Sequence, residues 1–188
     1  MKLTINDNWR FVKQAEDAAK AMQTEGERIS LPHTWNAEDG QDGGNDYYRG
    51  TCWYIKELAE IEKKEEEEVY LEFLGAAMIS DVYLNGKKLF HHEGGYSTFR
   101  VNLTEHLADK NVLAVAVDNG DNTICYPQKA DFTFYGGLYR NVNLLVVPKE
   151  HFALDYCGTP GIKVTPEVDL ETKKATVTVE VWTSGNPT

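Results

Sequence analysis

The fold of this 188-residue chain is decided by one stretch, which reads Val82-Tyr83-Leu84-Asn85-Gly86-Lys87-Lys88-Leu89-Phe90. An Asn-Gly pair favours the two positive φ angles that a type I′ turn requires, and short apolar segments flank it on both sides. The pattern predicts two antiparallel strands joined by a two-residue turn.

A second segment, residues 112–117, is apolar at every position. It presents two sets of side chains to opposite faces: Val112, Ala114 and Ala116 to one, and Leu113, Val115 and Val117 to the other. Because both faces are apolar, this strand is predicted to lie inside a sheet rather than at its edge.

Other short segments rich in β-branched and aromatic residues are typical of strands. They cover Trp53 to Leu58, Val69 to Leu74, Val82 to Leu84, Thr98 to Leu103, Val112 to Asp118 and Val142 to Val147. Helical spacing of apolar residues is confined to Glu16 to Met22. Six or more such strands predict an all-β chain in which two sheets pack as a β-sandwich.

A domain boundary is predicted near Pro148, which has no amide hydrogen to continue an interior strand. Beyond it, Ile162 to Val168 and Ala175 to Trp182 are predicted to form two more strands. Two strands alone cannot bury a face. We therefore interpret residues 1–148 as one domain, and residues 149–188 as a linker and the opening of a second, truncated β-domain.

The composition argues against several classes of partner. Thirty acidic and nineteen basic residues give a net charge of -11, which repels nucleic-acid phosphates and anionic lipid headgroups. The chain contains no apolar stretch long enough to span a membrane, and its first residues lack the apolar core of a secretory signal. We expect no nucleic-acid or membrane partner, and a cytoplasmic location unless a leader precedes this start.

The three cysteines are Cys52, Cys125 and Cys157. Their number is odd, their spacing is wide, and no two form a CxxC pair. They are predicted to be free thiols in a reducing compartment.

An ordered series of motifs runs through the first 148 residues. It consists of Leu31-Pro32-His33-Thr34-Trp35, Tyr48-Arg49-Gly50 with Trp53-Tyr54, Val82 to Gly86, Gly94-Gly95-Tyr96 with Phe99, Asn111 to Val115 with Val117-Asp118-Asn119, and Asp131 to Val142. This series resembles the N-terminal part of glycoside hydrolase family 2, which includes β-galactosidases, β-glucuronidases and β-mannosidases. The resemblance covers about residues 3–148.

The resemblance implies a jelly-roll sugar-binding domain, followed by an immunoglobulin-like domain and a (β/α)₈ barrel. Residues from Phe152 onward resemble the first strands of the immunoglobulin-like domain. In the family, two glutamates on the barrel carry out retaining hydrolysis, about 5 to 5.5 Å apart. We therefore expect no catalytic residue and no cofactor site in this chain, with any Mg²⁺ or Na⁺ of the parent enzyme on the barrel. The parent is expected to form a homo-oligomer.

Residues 47–54 and 131–135 look more like the β-galactosidase branch than the β-glucuronidase branch. A β-galactoside or related sugar is accordingly the expected substrate of the parent enzyme. The β-glucuronidase and β-mannosidase types remain as alternatives.

Four residues are candidates for contact with the sugar. The resemblance implies that Asp131 reaches the sugar pocket of the barrel, where a carboxylate can accept hydrogen bonds from hydroxyls; alternatively, it caps its own turn. Tyr135, next to Gly136-Gly137, could stack on a pyranose ring, but we prefer a tight turn whose tyrosine packs on the sandwich. Asn45 and Asp46 are weaker candidates, because family loops in this region approach the active site.

Other polar residues have structural interpretations. Arg140 is predicted to anchor its loop through an ion pair, and His33 to be a hydrogen-bonded structural histidine. Residues 91–93 alternate between strand faces, so their side chains should not converge on a metal ion. The acidic loop at 39–46 fails the EF-hand pattern, because Gly50 stands where that pattern requires Glu.

Three functions remain open. The chain could shape one side of a glycosidase active site, act as an independent carbohydrate-binding module, or serve only as a structural and oligomerisation domain. An exposed loop end at residues 131–135 would favour the first. A pair of exposed tryptophans on one sheet face would favour the second.

Overall fold

The computed structural model describes residues 1–39, 47–126 and 133–185. Its strands are β1 (Lys2–Thr4), β2 (Trp9–Val12), β3 (Glu27–Ile29), β4 (Thr51–Leu58), β5 (Glu67–Phe73), β6 (Ile79–Leu84), β7 (Lys87–Glu93), β8 (Phe99–Asn102), β9 (Asn111–Asp118), β10 (Val142–Pro148), β11 (Ile162–Asp169) and β12 (Lys174–Val181). A six-residue helix, α1 (Ala18–Gln23), and a 3-10 turn at Thr104–His106 complete the regular elements.

The strands form two large antiparallel sheets and one small one. The order is β3-β2-β4-β9-β6-β7 in the six-stranded sheet and β1-β10-β5-β8 in the four-stranded sheet. Strands β11 and β12 pair only with each other. The predicted all-β sandwich is confirmed.

The hairpin that decides the fold forms as expected. Asn85 and Gly86 both have positive φ angles, 52° and 82°, and Leu84 pairs with Lys87 across the turn. This geometry agrees with the type I′ requirement.

Strand β9 lies between β4 and β6, so the predicted interior position is confirmed. Leu113, Val115 and Val117 point into the core between the large sheets. Ala114 and Ala116 face the opposite way and pack in the cluster that includes helix α1. Small side chains on this face let the helix approach the sheet closely.

Helix α1 begins two residues later than the apolar spacing suggested. Asp17 takes the N-cap, and its carboxylate accepts a hydrogen bond of 2.8 Å from the amide of Lys20. A capping Asp lies outside the helix that it caps, so the helix begins at Ala18. Within the described residues, no helix is long and apolar enough to cross a membrane.

Sequence reasoning missed three strands, β1, β2 and β3. Each has only three or four residues, and the sequence of β3, Glu-Arg-Ile, shows no apolar alternation. They form because neighbouring strands offer free edges: β1 pairs with β10, and β3 pairs with β2.

The two C-terminal strands, β11 and β12, differ from those of the sandwich in their exposure. Strand β10 ends at Pro148, and every residue of β11 and β12 is exposed. That this hairpin opens an immunoglobulin-like domain stays a prediction.

Candidate functional site

Four loops meet at one end of the sandwich and line an open cavity of about 570 Å³. Its described lining consists of Thr34, Ala77, Met78, Tyr96, Thr133, Phe134, Tyr135 and Tyr139. The volume and the mainly apolar, aromatic lining are typical of small-molecule sites. We take this cavity as the candidate functional site.

A pair of fully buried asparagines holds the loops beneath the cavity. The Asn119 side-chain oxygen accepts from the Gly50 amide at 2.9 Å, and its nitrogen donates to the carbonyl of Phe134 and the side-chain oxygen of Asn36, both at 3.2 Å. Asn36 in turn accepts a 2.8 Å hydrogen bond from the amide of Gly136. Segments far apart in sequence are thereby joined through buried amides that find partners.

Gly136 and Gly137 are required by close packing. A Cβ on Gly136 would lie 2.0 Å from the ring of Trp35. Gly137 has a φ of 134°, and a Cβ there would lie 2.4 Å from the carbonyl oxygen of His33. The two glycines thus let the loop lie against residues 33–35, in agreement with the expected backbone role.

His33 is a structural histidine, as predicted. Its Nδ1 lies 2.8 Å from the Tyr54 hydroxyl, and its ring packs 4.9 Å from that of Phe11. Burial lowers the pKa of His33, because the charged imidazolium would lose its hydration. His33 therefore favours the neutral form and supports the loop from below.

Arg140 anchors its loop, as predicted, and the described contacts go to backbone carbonyls. Its guanidinium donates hydrogen bonds of 3.1 Å to the carbonyls of Leu74 and Tyr96, and it lies 5.2 Å from the centre of the Tyr139 ring. Its guanidinium thereby joins the loop after β5 to the loop between β7 and β8. Among the described residues it forms no ion pair, so the predicted ion pair stays a prediction.

Two tyrosines give the cavity its exposed aromatic surface. Tyr135 is 39% exposed and Tyr96 is 60% exposed, and both line the cavity. None of the described lining residues is acidic. These residues can therefore offer ring faces and hydroxyls to a ligand, but no carboxylate for acid or base chemistry.

The other sugar-contact candidates, Asp131, Asn45 and Asp46, lie outside the described residues. Their roles remain predictions. Tyr135 is placed on the cavity, but its contact with a sugar is likewise a prediction.

The histidines at the end of β7 do not form a metal centre. Nδ1 of His91 lies 2.6 Å from the Asp81 carboxylate, and this hydrogen bond raises the pKa of His91. His92 points to the other face, where its ring stacks 4.0 Å from that of Phe99. Over residues 1–39, 47–126 and 133–185, no group of three or more potential ligands is placed to hold a metal ion.

Sequence reasoning assigned no role to Asn36, Asn119 or Tyr96, although the last two stand in the quoted motifs. Asn119 directly follows the buried strand β9. This position could have predicted that its side-chain amide binds the backbone of nearby loops. Nothing in the sequence alone indicated the burial of Asn36.

Several motif segments meet at the end of the sandwich that bears the cavity, namely those with Thr34, Gly50, Tyr96, Asn119 and Phe134 to Tyr139. The Asn85-Gly86 turn and Asn111 lie at the opposite end of β6 and β9. The family described as "Glycosyl hydrolases family 2, sugar binding domain" matches residues 3–148. The chain belongs to glycoside hydrolase family 2.

Named relatives agree with this assignment. A β-glucuronidase of Bacteroides fragilis is 36% identical over 169 residues, which cover 88% of this chain and 24% of that protein. A β-galactosidase of Thermoanaerobacter pseudethanolicus is 31% identical over 157 residues, covering 79% of this chain and 21% of that protein. The chain spans about a fifth of the length of the curated relatives that it matches.

Among solved structures, the FMN-binding β-glucuronidase from Facaelibacterium prausnitzii L2-6 superposes with a TM-score of 0.82 at 40% sequence identity. The match covers 98% of this chain and 28% of that one. The likeness therefore extends through the C-terminal hairpin as well as the sandwich.

Proposed function

We propose that this chain shapes one side of the active site of a β-glycosidase and leaves the chemistry of hydrolysis to a barrel domain of the same protein. The observation that carries the proposal is the aromatic cavity at one end of the sandwich, where loop segments of several family motifs are joined by Asn36 and Asn119. The described lining supplies ring faces rather than acids, which suits positioning of a substrate and not its cleavage.

Two classes of glycoside are candidates for the substrate. The sequence favoured a β-galactoside, and the β-galactosidase relative at 31% identity supports that reading. The higher identities, 36% and 40%, belong to proteins named β-glucuronidases. We propose a terminal β-glucuronide as the substrate, with a β-galactoside as the second candidate.

Within this proposal, Tyr135 stacks on the substrate from the rim of the cavity, and Asp131 accepts hydrogen bonds from sugar hydroxyls. Asn45 and Asp46 are secondary candidates for contact. An independent carbohydrate-binding module is less well supported, because two tryptophans, Trp9 and Trp53, are buried in the sandwich.

The test uses the full-length protein, assayed with 4-nitrophenyl β-glucuronide and 4-nitrophenyl β-galactoside. We expect faster turnover of the glucuronide. Tyr135→Ala should lower kcat/KM by about 2- to 12-fold, because an aromatic contact contributes about 0.5 to 1.5 kcal/mol. Asp131→Asn should lower it by about 10- to 150-fold, the range for a hydrogen bond to a charged group.

The matched control is Tyr135→Phe, which retains the ring and should retain most of the activity. Preference for the galactoside would favour the second candidate. If neither glycoside is cleaved, the proposed function is wrong. Wild-type kinetics with a lowered melting temperature in Asp131→Asn would assign that residue to turn capping instead.

A further inference from the structure

A row of polar side chains crosses the outer face of the four-stranded sheet. Thr4, Asn143, Glu72 and Arg100 are direct cross-strand neighbours on β1, β10, β5 and β8. Their side chains are linked in the same order, by hydrogen bonds of 2.8 Å (Thr4 to Asn143), 3.0 Å (Asn143 to Glu72) and 2.7 Å (Arg100 to Glu72). We call these four residues the polar row.

The centre of the polar row is buried although it lies outside the hydrophobic core. Glu72 is 4% exposed and Asn143 is 1% exposed. Burial alone would raise the pKa of Glu72, but hydrogen bonds from Lys2 and Arg100 outweigh it and hold the pKa below its usual value. A charged carboxylate is therefore kept in a covered position by two cations and an amide.

The segment that follows β10 contacts this end of the sheet. We call residues 150–161 the junction segment. One guanidinium nitrogen of Arg100, Nη1, donates to the carbonyls of Leu154 at 3.0 Å and Thr159 at 2.9 Å. Its Nε donates to the carboxylate of Glu72. Close to Arg100, Gly158 has a φ of 67°, and a Cβ there would lie 1.8 Å from the carbonyl oxygen of Thr98.

The junction segment is in turn tied to the C-terminal hairpin. The amide of Trp182 donates to Gly161, and the carbonyl of Trp182 accepts from Ala153, both at 2.8 Å. The ring of Trp182 also stacks on that of Tyr156, with centroids 4.1 Å apart. A continuous chain of contacts therefore leads from the sheet, through Arg100, to the end of β12.

We propose that Arg100, held at the end of the polar row by Glu72, is a positioning residue that docks the junction segment and fixes the orientation of the hairpin β11–β12 relative to the sandwich. The partner it recognises is a pair of backbone carbonyls on the junction segment. This role goes beyond the proposed function and does not depend on which sugar is cleaved.

The chemistry of arginine explains why this residue type stands there. A guanidinium carries five N–H donors in a rigid planar fork, so it can bind a carboxylate and backbone carbonyls at the same time. A lysine ammonium is a single point and cannot span these groups in the same geometry. Buried ion pairs contribute more to a unique arrangement than to stability in some proteins, which suits a positioning role.

The test is amide hydrogen exchange measured on this chain. In Arg100→Lys we expect the amides of Ala153, Thr159 and Trp182 to exchange about tenfold faster or more, with Val115 in β9 unchanged. Lys2→Met is the matched control, because it removes the other cation of Glu72. Within the described part of the chain, Lys2 has no hydrogen bond or ion pair with the junction segment. Lys2→Met should leave the same three amides protected.

A second variant disturbs docking from the other side. Gly158→Ala should loosen the same amides, because its methyl group would meet the carbonyl of Thr98 while Arg100 remains in place. Unchanged exchange in Arg100→Lys or in Gly158→Ala would overturn the proposal. So would equal loosening in Lys2→Met, or faster exchange of Val115, since either would make the row a general element of stability.

Discussion

Strands β9 and β12 have the same length and the same number of valines, yet they occupy opposite environments. Each has eight residues and three valines, but most of β9 is buried and every residue of β12 is exposed. On β9 the core covers one face and helix α1 the other. A β-branched apolar sequence therefore favours a strand, but a covering layer is needed to bury it.

The hairpin shows what an uncovered face looks like. Val164 pairs with Val179 on one face, while Lys163 and Glu180 form a 2.8 Å ion pair on the other. The apolar face has no covering layer among the described residues. Exposed ion pairs contribute little, so the hairpin gains most from its backbone pairing and from the junction segment.

The largest effect should come from removing core volume in β9. Leu113 is fully buried, and Leu113→Ala should lower the free energy of unfolding by about 2 to 5 kcal/mol through lost contacts and a cavity. Urea unfolding measures it. The matched control is Leu170→Ala between β11 and β12, where the leucine is 84% exposed and the expected change is within about 0.5 kcal/mol. Equal losses at the two sites would abolish the contrast between the regions.

A smaller effect concerns the pH dependence of stability, which we expect to arise from histidines of the sandwich. Burial lowers the pKa of His33 and of His92 below the ordinary value of 6.5, so the unfolded chain takes up protons first. Stability from these groups is full above about pH 6.5 and is lost as the pH falls towards the folded-state pKa. His91 has the opposite effect on stability: its raised pKa makes the folded state more stable at low pH, and this contribution is lost as the pH rises through that pKa.

The measurement is the free energy of unfolding at about pH 7.5 and pH 5.5. We expect the free energy of unfolding of the wild type to be lower at the lower pH. The difference between the two pH values should be smaller in His33→Gln, because the amide of glutamine stays neutral. A pH dependence identical in the two proteins would show that His33 is not a source of the acid sensitivity.

The smallest effect is expected on the exposed face of the hairpin. Val179 is 55% exposed, so Val179→Thr, a change of similar volume, should alter the free energy of unfolding by less than about 0.5 kcal/mol. Urea unfolding at low protein concentration checks this. A loss above about 1 kcal/mol would mean that this face is covered in solution, since only a buried hydroxyl is that costly.

The candidate site was only partly predictable. Gly136 and Gly137 were correctly expected to serve the backbone, but the ring of Trp35 and the carbonyl of His33 that require them lie about a hundred residues away in sequence. Arg140 was expected to pair with an acid, and its described contacts go to carbonyls of two other loops. Such partners become neighbours only when the loops meet.

By itself, the sequence determined the strands with strong local patterns, the Asn85-Gly86 turn and the family. These follow from backbone preferences and apolar periodicity, which act between close neighbours in the chain. The tertiary structure decided the short edge strands, the buried amides of Asn36 and Asn119, and the burial of Glu72. Each of these depends on hydrogen bonds or packing between residues distant in sequence, and the free energy of such contacts is set by which segments meet rather than by which residues they contain.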